Sequence, residues 1–518
     1  MTNARRVLEG LVQQLSAREE SARPVPEASP PVEHRKLCVG MSTFDDFDGV
    51  YFTIQALRMC HPEVLDETSF LVVDNHPEGR AAADLKHFCD SVPNLRYVPF
   101  RGYRSTAVRD LVFREADADV VCCLDSHVLL RPGALRALLD WFDANPASAD
   151  LLQGPLLADD LRTVVGSHFA PKWGAGMYGQ WDTDERAARC DGPAFEIEMQ
   201  GLGVFACRRD AWPGINPRFR GFGGEEGYLH EKVRRGGGRV MCLPALAWAH
   251  RFGRPAGTSY EVTWLDRIRN YHLGWSELGW DPAPLEEHFR DHLGPEAAEL
   301  LCNRAANQVA SPFNFFDAIL CLNLDSQPER LEAMAERFKL LDIAWRVERF
   351  PAISAPEGCT LSFRAMIAEA RRRGYANVLV LEDDAVFLDQ TIAVLTRAIA
   401  DLRDRPWDLF YLGGCVWSQS FPYLEGSRVL QSPAGMTCTH AVAFNHTAYD
   451  RFVEEVPAEE GPAFDAFIGE HAAVDQYLAH RIADGAYRAV VTSPRLATQP
   501  FLMQGADADL SLRERYII

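Results

Sequence analysis

Two apolar segments of this chain each end in a short acidic motif. The segments and their motifs are Val120–Leu124 followed by Asp125-Ser126-His127, and Val378–Leu381 followed by Glu382-Asp383-Asp384. Residues i and i+2 of an extended strand point to the same side, so Asp125 and His127 can converge on one ion, as can Glu382 and Asp384. Open α/β sheets bind ligands at the carboxyl ends of their strands. Asp and His also cap helices and fill turns, but the strand context favours two metal sites.

The length and the charge of the chain limit what it can be. Its 518 residues exceed one ordinary core and predict two or three domains. Hydrophobic residues make up 47% and charged residues 24%, which is typical of a soluble globular protein. The net charge of −20 argues against a general binder of nucleic acid or of anionic membranes, because neither polyanion would be attracted.

The cysteines and the start of the chain indicate a location. Thirteen cysteines are scattered along the chain, several of them within apolar runs such as Cys122-Cys123, and no Cys-x-x-Cys pair occurs. Buried free thiols in a reducing compartment fit this usage. Met1–Glu20 is polar and no run of 18 apolar residues occurs, so we expect neither a signal peptide nor a transmembrane segment. The expected location is the cytoplasm.

The spacing of apolar residues divides the chain into four predicted parts. They are a helix with a proline-rich linker at 1–33, an α/β domain at 34–260, a helical connector at 261–313 and a second α/β domain at 314–518. Strand and helix patterns alternate in both α/β parts, which predicts doubly wound sheets, the first of them parallel. The helix at 4–19 is amphipathic and could pair with a copy of itself in a homodimer.

Four polar residues in the first α/β part are candidates for ligand binding. Asp74 ends the apolar strand Phe70–Asp74, where it could accept hydrogen bonds from a uracil or a ribose; a cap is the alternative. Arg109 lies on a predicted helix before the first acidic motif and could face a diphosphate, although a surface arginine fits equally well. Glu225 and Glu226 follow a glycine-rich segment and precede an amphipathic helix, which is predicted at Tyr228–Arg235.

Further motifs follow Asp-Ser-His in a fixed order. They are Met199-Gln-Gly-Leu-Gly203, Gly221-Phe-Gly-Gly-Glu-Glu226 and Ala249-His-Arg-Phe252. Over about residues 36–255 this series resembles the polypeptide N-acetylgalactosaminyltransferases and related GT-A glycosyltransferases. The resemblance implies a UDP-sugar donor and a Mn²⁺ ion held by Asp125, His127 and His250. It also implies that Glu225 or Glu226 contacts the acceptor or the transferred sugar.

The second α/β part carries its own series of motifs. They are Asn323-Leu-Asp325, Pro328-Glu-Arg330, Gly358-Cys-Thr-Leu-Ser362, Glu382-Asp-Asp384, Ala473-Val-Asp-Gln476 and Ser493-Pro494 through Gln499. Over about residues 316–500 the series resembles glycosyltransferase family 25, whose members decorate bacterial lipooligosaccharide and collagen. The chain departs from this family at Phe363, where histidine is expected.

This second resemblance implies a second nucleotide-sugar site. Asp384 would bind a metal ion directly, and Glu382 or Asp383 would hold a ribose or a metal-bound water. Asp475 would be the base that deprotonates the acceptor; a solvated carboxylate at a helix start is the alternative. Three adjacent acids repel one another unless a cation is present. The residues implied to contact the nucleotide are Asn323, Asp325 and Arg330.

Together the two resemblances imply a bifunctional glycosyltransferase with two GT-A domains in tandem. Each domain would use a UDP-sugar and one Mn²⁺, and the two would add successive sugars to a glycan, lipooligosaccharide, protein or peptide acceptor. Tethering raises the effective concentration of the first product at the second site. Two alternatives stay open: one half is a non-catalytic substrate-binding module, or the chain is a structural protein of polysaccharide assembly. Both retention and inversion are compatible with the first domain.

Overall fold

The computed structural model describes residues 27–251, 261–416, 421–500 and 516–517. The chain divides into two compact units, Met1–Ala305 and Ala306–Ile518. Each unit has its own sheets and helices, as the alternating sequence pattern predicts. The amphipathic helix predicted at 4–19 lies outside the described residues.

The first unit consists of short and medium strands with helices between them. Its strands are β1 (Arg35–Thr43), β2 (Thr68–Asp74), β3 (Leu95–Pro99), β4 (Ala118–Leu124), β5 (Val128–Leu130), β6 (Leu151–Gln153), β7 (Leu156–Leu157), β8 (Val164–Gly166), β9 (His168–Gly174), β10 (Met177–Asp182), β11 (Phe195–Glu196), β12 (Val204–Arg208), β13 (Val240–Cys242) and β14 (Trp248–His250). Its helices are α1 (Phe47–Cys60), α2 (Ala82–Ser91), α3 (Arg109–Glu115), α4 (Ala134–Ala144), α5 (Tyr228–Arg235), α6 (Trp264–Leu278), α7 (Ala283–Leu293) and α8 (Pro295–Ala310), which crosses the boundary between the units.

An eight-stranded sheet in the order β11-β13-β6-β12-β4-β1-β2-β3 forms the centre of the first unit. Strands β4, β1, β2 and β3 run parallel. Leu37, Val39 and Met41 of β1 face one apolar core, while Gly40 lies against Val112 of α3 on the opposite face. Strands that are buried on both faces are apolar throughout, which explains the continuous apolar runs in the sequence.

The prediction of a parallel first sheet is wrong at the edge strand β11 and, closer to the acidic motif, at β12. This strand is antiparallel to both of its neighbours, β4 and β6. No helix crossover precedes it, because the antiparallel hairpin β9–β10 and β11 occupy the chain there. The chain therefore enters the sheet at the carboxyl end of β4 and runs back along that strand. This places Gly203 beside Asp125, whose N–H donates to the Gly203 carbonyl oxygen (2.9 Å).

A smaller sheet has the order β5-β14-β7-β8, and three residues, Asp125–His127, separate its strand β5 from β4. Strand β14 pairs antiparallel with β5, which sets His250 opposite Val128. The pairing depends on the order of the strands in space, since β5 ends at Leu130 and β14 does not begin until Trp248. It brings a second histidine to the end of the first acidic motif.

The segment Trp264–Asn303, predicted to be helical, forms the three helices α6, α7 and α8. Tyr271, Trp275 and Phe289 of these helices share one apolar cluster with Trp173 and Tyr178 of the β9–β10 hairpin. Aromatic side chains of this size bury a large apolar area, so the helices hold the hairpin in place.

The second unit repeats this layout on another sheet. Its strands are β15 (Ala318–Asn323), β16 (Val347–Pro351), β17 (Asn377–Glu382), β18 (Val386–Leu388), β19 (Leu409–Tyr411), β20 (Cys415–Val416), β21 (Leu430–Gln431), β22 (Met436–Thr437), β23 (Ala441–Asn445), β24 (Ala489–Thr492), β25 (Ala497–Thr498) and β26 (Tyr516–Ile517). Its helices are α9 (Pro328–Leu340), α10 (Gly358–Arg372), α11 (Thr391–Leu402), α12 (His446–Glu455), α13 (Pro462–His471) and α14 (Val474–Ala483).

The main sheet of the second unit has the order β16-β15-β17-β23-β19-β24-β21. Strands β16, β15 and β17 are parallel, and β23 is antiparallel to β17 and to β19. The Glu382 N–H donates to the His440 carbonyl oxygen just before β23 (3.1 Å). In both units, therefore, the strand that carries the acidic motif lies next to an antiparallel strand.

Two further predictions concern membranes and thiols. Across the described ranges, no helix has both the length and the apolar character needed to span a bilayer. All thirteen cysteines lie in these ranges and are free thiols, most of them buried. This agrees with the prediction made from their scattered positions.

Candidate active sites

The Asp-Ser-His motif and His250 meet at the carboxyl end of β4. Asp125 directly follows β4 and His127 directly precedes β5. His250 ends β14, which pairs with β5, and the Arg251 N–H donates to the His127 carbonyl oxygen (3.1 Å). Two strands that are distant in sequence thus bring the two imidazoles together.

The distances within this triad of Asp125, His127 and His250 suit a shared ion. His127 Nε2 lies 3.1 Å from His250 Nε2, and His250 Nε2 lies 3.4 Å from Asp125 Oδ2. One ligand atom from each side chain lies within 4.8 Å of the others, and the described residues contain no other such group of three. One carboxylate and two imidazoles suit Mn²⁺ better than Mg²⁺, which favours oxygen ligands. The donor set therefore fits a manganese ion.

Asp46 lies beside His127 of the triad and was not among the residues predicted from the sequence. Its Oδ2 lies 3.2 Å from His127 Nδ1 and accepts a hydrogen bond from the Ser126 hydroxyl (2.9 Å). A carboxylate at the second ring nitrogen orients a metal-binding histidine. Burial alone would raise the pKa of Asp46, but contacts with His127 and Ser126 lower it to about 2. Asp46 also caps α1 through the Gly49 N–H (3.1 Å), and this position before a helix was the available signal.

Arg109 contacts two of the predicted site residues. Its guanidinium donates to Asp125 Oδ1 (2.6 Å) and to Glu225 Oε1 (3.2 Å). Burial alone would lower the pKa of Arg109 and raise that of Asp125, but their attraction reverses both shifts: the pKa of Arg109 is raised and that of Asp125 is lowered. Both groups are therefore charged at neutral pH, and Arg109 links the triad to Glu225.

The two glutamates lie in a loop whose backbone conformation depends on glycine residues. Four glycines of the segment 221–227 have φ between 66° and 95°, a region in which a Cβ atom is strained. Glu225 is buried. Burial and the neighbouring charge of Glu225 raise the pKa of Glu226 above its usual range. One carboxyl group of the pair can thus hold a proton near neutral pH.

A pocket of about 110 Å³ opens beside Asp125. Its lining residues are Ser42, Thr43, Phe44, Asp46, Asn75, Arg104, Ser105, Thr106, Arg109, Asp125, Ser126, His127 and Phe222. Asp74 is not among them: it is 1% exposed and accepts hydrogen bonds from the Tyr97 hydroxyl (2.7 Å) and the His76 N–H (2.9 Å). Burial raises the pKa of Asp74. Its contact with the His76 N–H lies in a turn and is not a helix cap, because α2 begins at Ala82 and has no side-chain cap. Its neighbour Asn75 lines the pocket instead.

The second acidic motif begins at Glu382, the last residue of β17, and lies beside a cationic side chain. Arg330 of α9 forms ion pairs with Asp383 Oδ1 (2.6 Å) and Asp384 Oδ2 (3.1 Å). Asn323, at the end of β15, donates to Asp383 Oδ2 (2.7 Å). The repulsion expected among three adjacent acids is therefore offset by a side chain of the protein.

Two residues hold Glu382: Thr439, which the sequence did not indicate, and Gln499, which ends a predicted motif but had no predicted role. The Thr439 hydroxyl donates to Glu382 Oε1 (2.8 Å), and Gln499 Nε2 donates to Glu382 Oε2 (3.2 Å) and to Asp384 Oδ1 (3.0 Å). Burial raises the pKa of Glu382 to about 7. With Arg330 and Asn323 included, every carboxylate oxygen of the motif has a partner within the protein.

A cavity of about 490 Å³ adjoins this motif. Its lining residues are Leu322, Asn323, Leu324, Gln327, Arg330, Ala352, Ile353, Ser354, Ala355, Pro356, Cys359, Glu382 and Asp383. The structure thus brings four of the predicted residues to one cavity. Asp325 was also expected to contact the nucleotide, but it does not line this cavity. It pairs with Arg349.

Asp475 lies in the first turn of α14, near the same motif. It accepts hydrogen bonds from the Cys438 N–H (3.0 Å) and the Gln476 N–H (2.8 Å). Its charge is one of the smaller causes of the raised pKa of Glu382, after burial, which is consistent with their proximity. Phe363 is fully buried in an apolar core, so it supplies no polar group where the resembled family has histidine.

Residues 39–173 match the sequence model of the family described as Glycosyl transferase family 2. The matched region includes Asp46, Arg109, Asp125 and His127, and it ends before the second unit. The first unit therefore carries a glycosyltransferase domain of this type, and the predicted enzyme class and GT-A-type α/β fold are confirmed. A search among curated proteins found no match.

The chain is also similar to several solved structures. The structure of GalNAc-T7 with UDP, GalNAc and Mn²⁺ is 13% identical with a TM-score of 0.39; the match covers 50% of this chain and 55% of that one, about half its length. S. aureus TarS 1–349 with UDP-GlcNAc is 13% identical with a TM-score of 0.34, covering 76% and 99%. The Pyrobaculum calidifontis mannosyltransferase PcManGT with GDP-Man and Mn²⁺ is 14% identical with a TM-score of 0.31, covering 70% and 89%.

Proposed function

We propose that the first unit transfers a sugar from a UDP-sugar to an acceptor hydroxyl, with Mn²⁺ held by Asp125, His127 and His250. The observation that carries this proposal is that three ligand atoms, one from each side chain, lie within 4.8 Å of one another at the end of β4. Asp125 and His127 also belong to the region that matches the glycosyltransferase family. When bound, the ion neutralises diphosphate oxygens and stabilises the departing UDP. Arg109 keeps Asp125 ionised, and Asp46 orients the His127 ring.

Glu226 is the proposed proton acceptor of the first unit. In the transfer, the acceptor oxygen bonds to the sugar carbon C1 as the bond from C1 to the diphosphate breaks, and the hydroxyl proton passes to a carboxylate. A general base works best when its pKa is near the working pH, and burial together with Glu225 raises the pKa of Glu226 in that direction. Glu225 is held by Arg109. The anomeric configuration of the product, read by NMR, distinguishes retention from inversion.

The second unit is proposed to be a second, family 25-like glycosyltransferase. Its cavity of about 490 Å³ adjoins the acidic motif and has room for a nucleotide sugar. Asn323 and Arg330 are the proposed nucleotide contacts, Asp384 the proposed ligand of a second Mn²⁺, and Asp475 the proposed base. Asp384 can bind a metal ion only if Arg330, which pairs with it, moves away. Asp475 can act as a base only if it gives up at least one of its hydrogen bonds from two backbone N–H groups.

Two such units would add successive sugars to one acceptor. A glycan, a lipooligosaccharide, a protein and a peptide are all compatible with the two sites. The negative net charge of −20 disfavours nucleic acid as a partner. Both transfers would take place in the cytoplasm, whose reducing conditions keep cysteine thiols free.

One observation favours a second candidate, in which the second unit binds a glycan or a nucleotide without catalysing transfer. Every carboxylate oxygen of its acidic motif is already hydrogen bonded or ion paired within the protein. A catalytic metal site has at least one position that accepts a ligand from outside. A binding module requires no such position.

The test uses the full chain and the variants Asp125→Asn and Asp384→Asn. UDP release is measured over a panel of UDP-sugars, with Mn²⁺ and with a chelator, and the acceptor products are weighed by mass spectrometry. Loss of a different sugar in each variant would support two active sites. A first sugar that is lost in Asp125→Asn, with no effect of Asp384→Asn, would favour the binding module. UDP-sugars that stay intact under all conditions would contradict both proposals.

A further inference from the structure

Helix α6, predicted to be part of a connector, holds the loop that carries the two glutamates. Asn270 of this helix is 0% exposed. Its Oδ1 accepts a hydrogen bond from the Arg220 N–H (3.1 Å), and its Nδ2 donates to the carbonyl oxygens of Arg220 (2.8 Å) and Gly223 (2.8 Å). One side chain thus satisfies three backbone groups of a segment that belongs to no helix or strand.

The contact between loop and helix is so close that only glycine fits. A Cβ atom on Gly224 would lie 2.8 Å from the Asn270 Cβ, and a Cβ atom on Gly223 would lie 2.9 Å from Arg267 Nε. Both glycines have φ of 89° or more, which side chains disfavour. The conformation of the glycine segment and the position of α6 therefore depend on each other.

The same helix also fixes the opposite side of the glutamate pair. The Tyr271 hydroxyl accepts a hydrogen bond from the Tyr178 N–H in the β9–β10 hairpin (2.8 Å). The Tyr178 ring lies 3.0 Å from the position of a Cβ atom on Gly227, directly after Glu226. Adjacent residues of α6 thus hold the loop before the glutamates and the hairpin beside them.

We infer that Asn270 is a positioning residue of the first active site, which fixes Glu225 and Glu226 relative to the metal triad, and that the part of α6 around Asn270 and Tyr271 supports that site. The inference rests on the proposed function of the first unit. A shift of about 1 Å in a catalytic carboxylate can cost on the order of 100-fold in rate without changing how the donor binds. Asn270 touches neither the triad nor the pocket beside it.

The test compares Asn270→Ala and Asn270→Asp with the matched control Glu277→Gln in the full chain. Glu277 also lies on α6 and accepts hydrogen bonds from Asn216 Nδ2 (2.7 Å) and the Tyr228 hydroxyl (2.8 Å), but it does not contact the loop at 220–224. For both Asn270 variants we expect kcat to fall about 10- to 100-fold, with KM for the UDP-sugar and Mn²⁺ affinity by EPR within about twofold of wild type. Glu277→Gln should retain kcat even where it lowers the melting temperature.

Hydrogen exchange of the backbone amides at 220–227 gives a readout that does not depend on activity. We expect faster exchange there in the Asn270 variants than in Glu277→Gln. Unchanged exchange, or faster exchange with unchanged kcat, overturns the inference. Asn270→Asp keeps the size and one acceptor of the side chain, so it serves if Asn270→Ala does not fold. If the wild-type protein releases no UDP, the proposed function fails, and the exchange data still decide whether Asn270 holds the loop.

Discussion

The two acidic motifs occupy equivalent places in the two units but differ in charge balance. Each lies at the end of a strand that has an antiparallel neighbour, and in both the first N–H of the motif donates to the carbonyl oxygen of the residue just before that neighbour. In the first unit, two imidazoles and one carboxylate converge with ligand atoms within 4.8 Å. In the second, Arg330 pairs with two of the carboxylates. Equivalent backbone positions thus support different sites, because neighbouring side chains decide where a cation can bind.

The largest effect is expected from Asp125→Asn. Transfer by the first unit should fall by roughly 10³-fold, because the triad loses its carboxylate and metal ions supply several kcal/mol of charge stabilisation. Mn²⁺ binding, measured by EPR, should weaken in parallel. Asp74→Asn is the matched control, since Asp74 also ends a strand but is hydrogen bonded to Tyr97 away from the triad. Equal losses in both variants would refute the assignment of the triad.

A smaller effect, on the order of 100-fold, is expected from Asp384→Asn on the second transfer only. The first transfer should stay within about twofold, because sites in separate units act independently. Mass spectrometry of the acceptor after each reaction separates the two products. A variant that adds both sugars at the wild-type rate would mean that the motif of the second unit is not catalytic.

Mn²⁺ binding without nucleotide should distinguish the two units directly. We expect wild-type protein to bind one Mn²⁺ tightly, at the triad, and Arg330→Gln to bind a second one several-fold more tightly than wild type does. The gain is modest because the Arg330 ion pairs are partly exposed, and such pairs contribute roughly 0–1 kcal/mol. Arg349→Gln is the control, since Arg349 pairs with Asp325 and not with the motif. Two Mn²⁺ sites of equal affinity in the wild type would contradict the proposed difference between the two units.

The smallest effect concerns pH and stability in the second unit. Burial raises the pKa of Glu382 from its ordinary 4.5 to about 7. Its contribution to stability is therefore fully present below about pH 4.5 and is lost as the pH rises through 7. Glu382→Gln should raise the melting temperature by about 1–4 °C at pH 8 and leave it unchanged at pH 4. Calorimetry at both values tests this, and an equal change at both would exclude titration of Glu382 as the cause.

Much of the secondary structure could be predicted because its signals are local. Helix Tyr228–Arg235 has the predicted bounds, and strand Thr68–Asp74 differs from its prediction only by two residues at its start. The direction of β12 could not be predicted, since it depends on the end of β4 at which the chain arrives after the β9–β10 hairpin. The sequence also gave no sign that α6 holds the glycine loop, because that contact joins segments about 50 residues apart.

By itself the sequence determined that this protein has two α/β units, each with an acidic motif at a strand end, and that Asp125, His127 and His250 are candidate ligands of one ion. Apolar periodicity and motif order are properties of the sequence itself, so they can be recognised without knowledge of the fold. Only the tertiary structure decided that Asp46 contacts His127, that Asp74 is buried and hydrogen bonded to Tyr97, and that Arg330 pairs with two carboxylates of the second motif. These are contacts between distant segments, and charge balance in a buried site depends on such contacts.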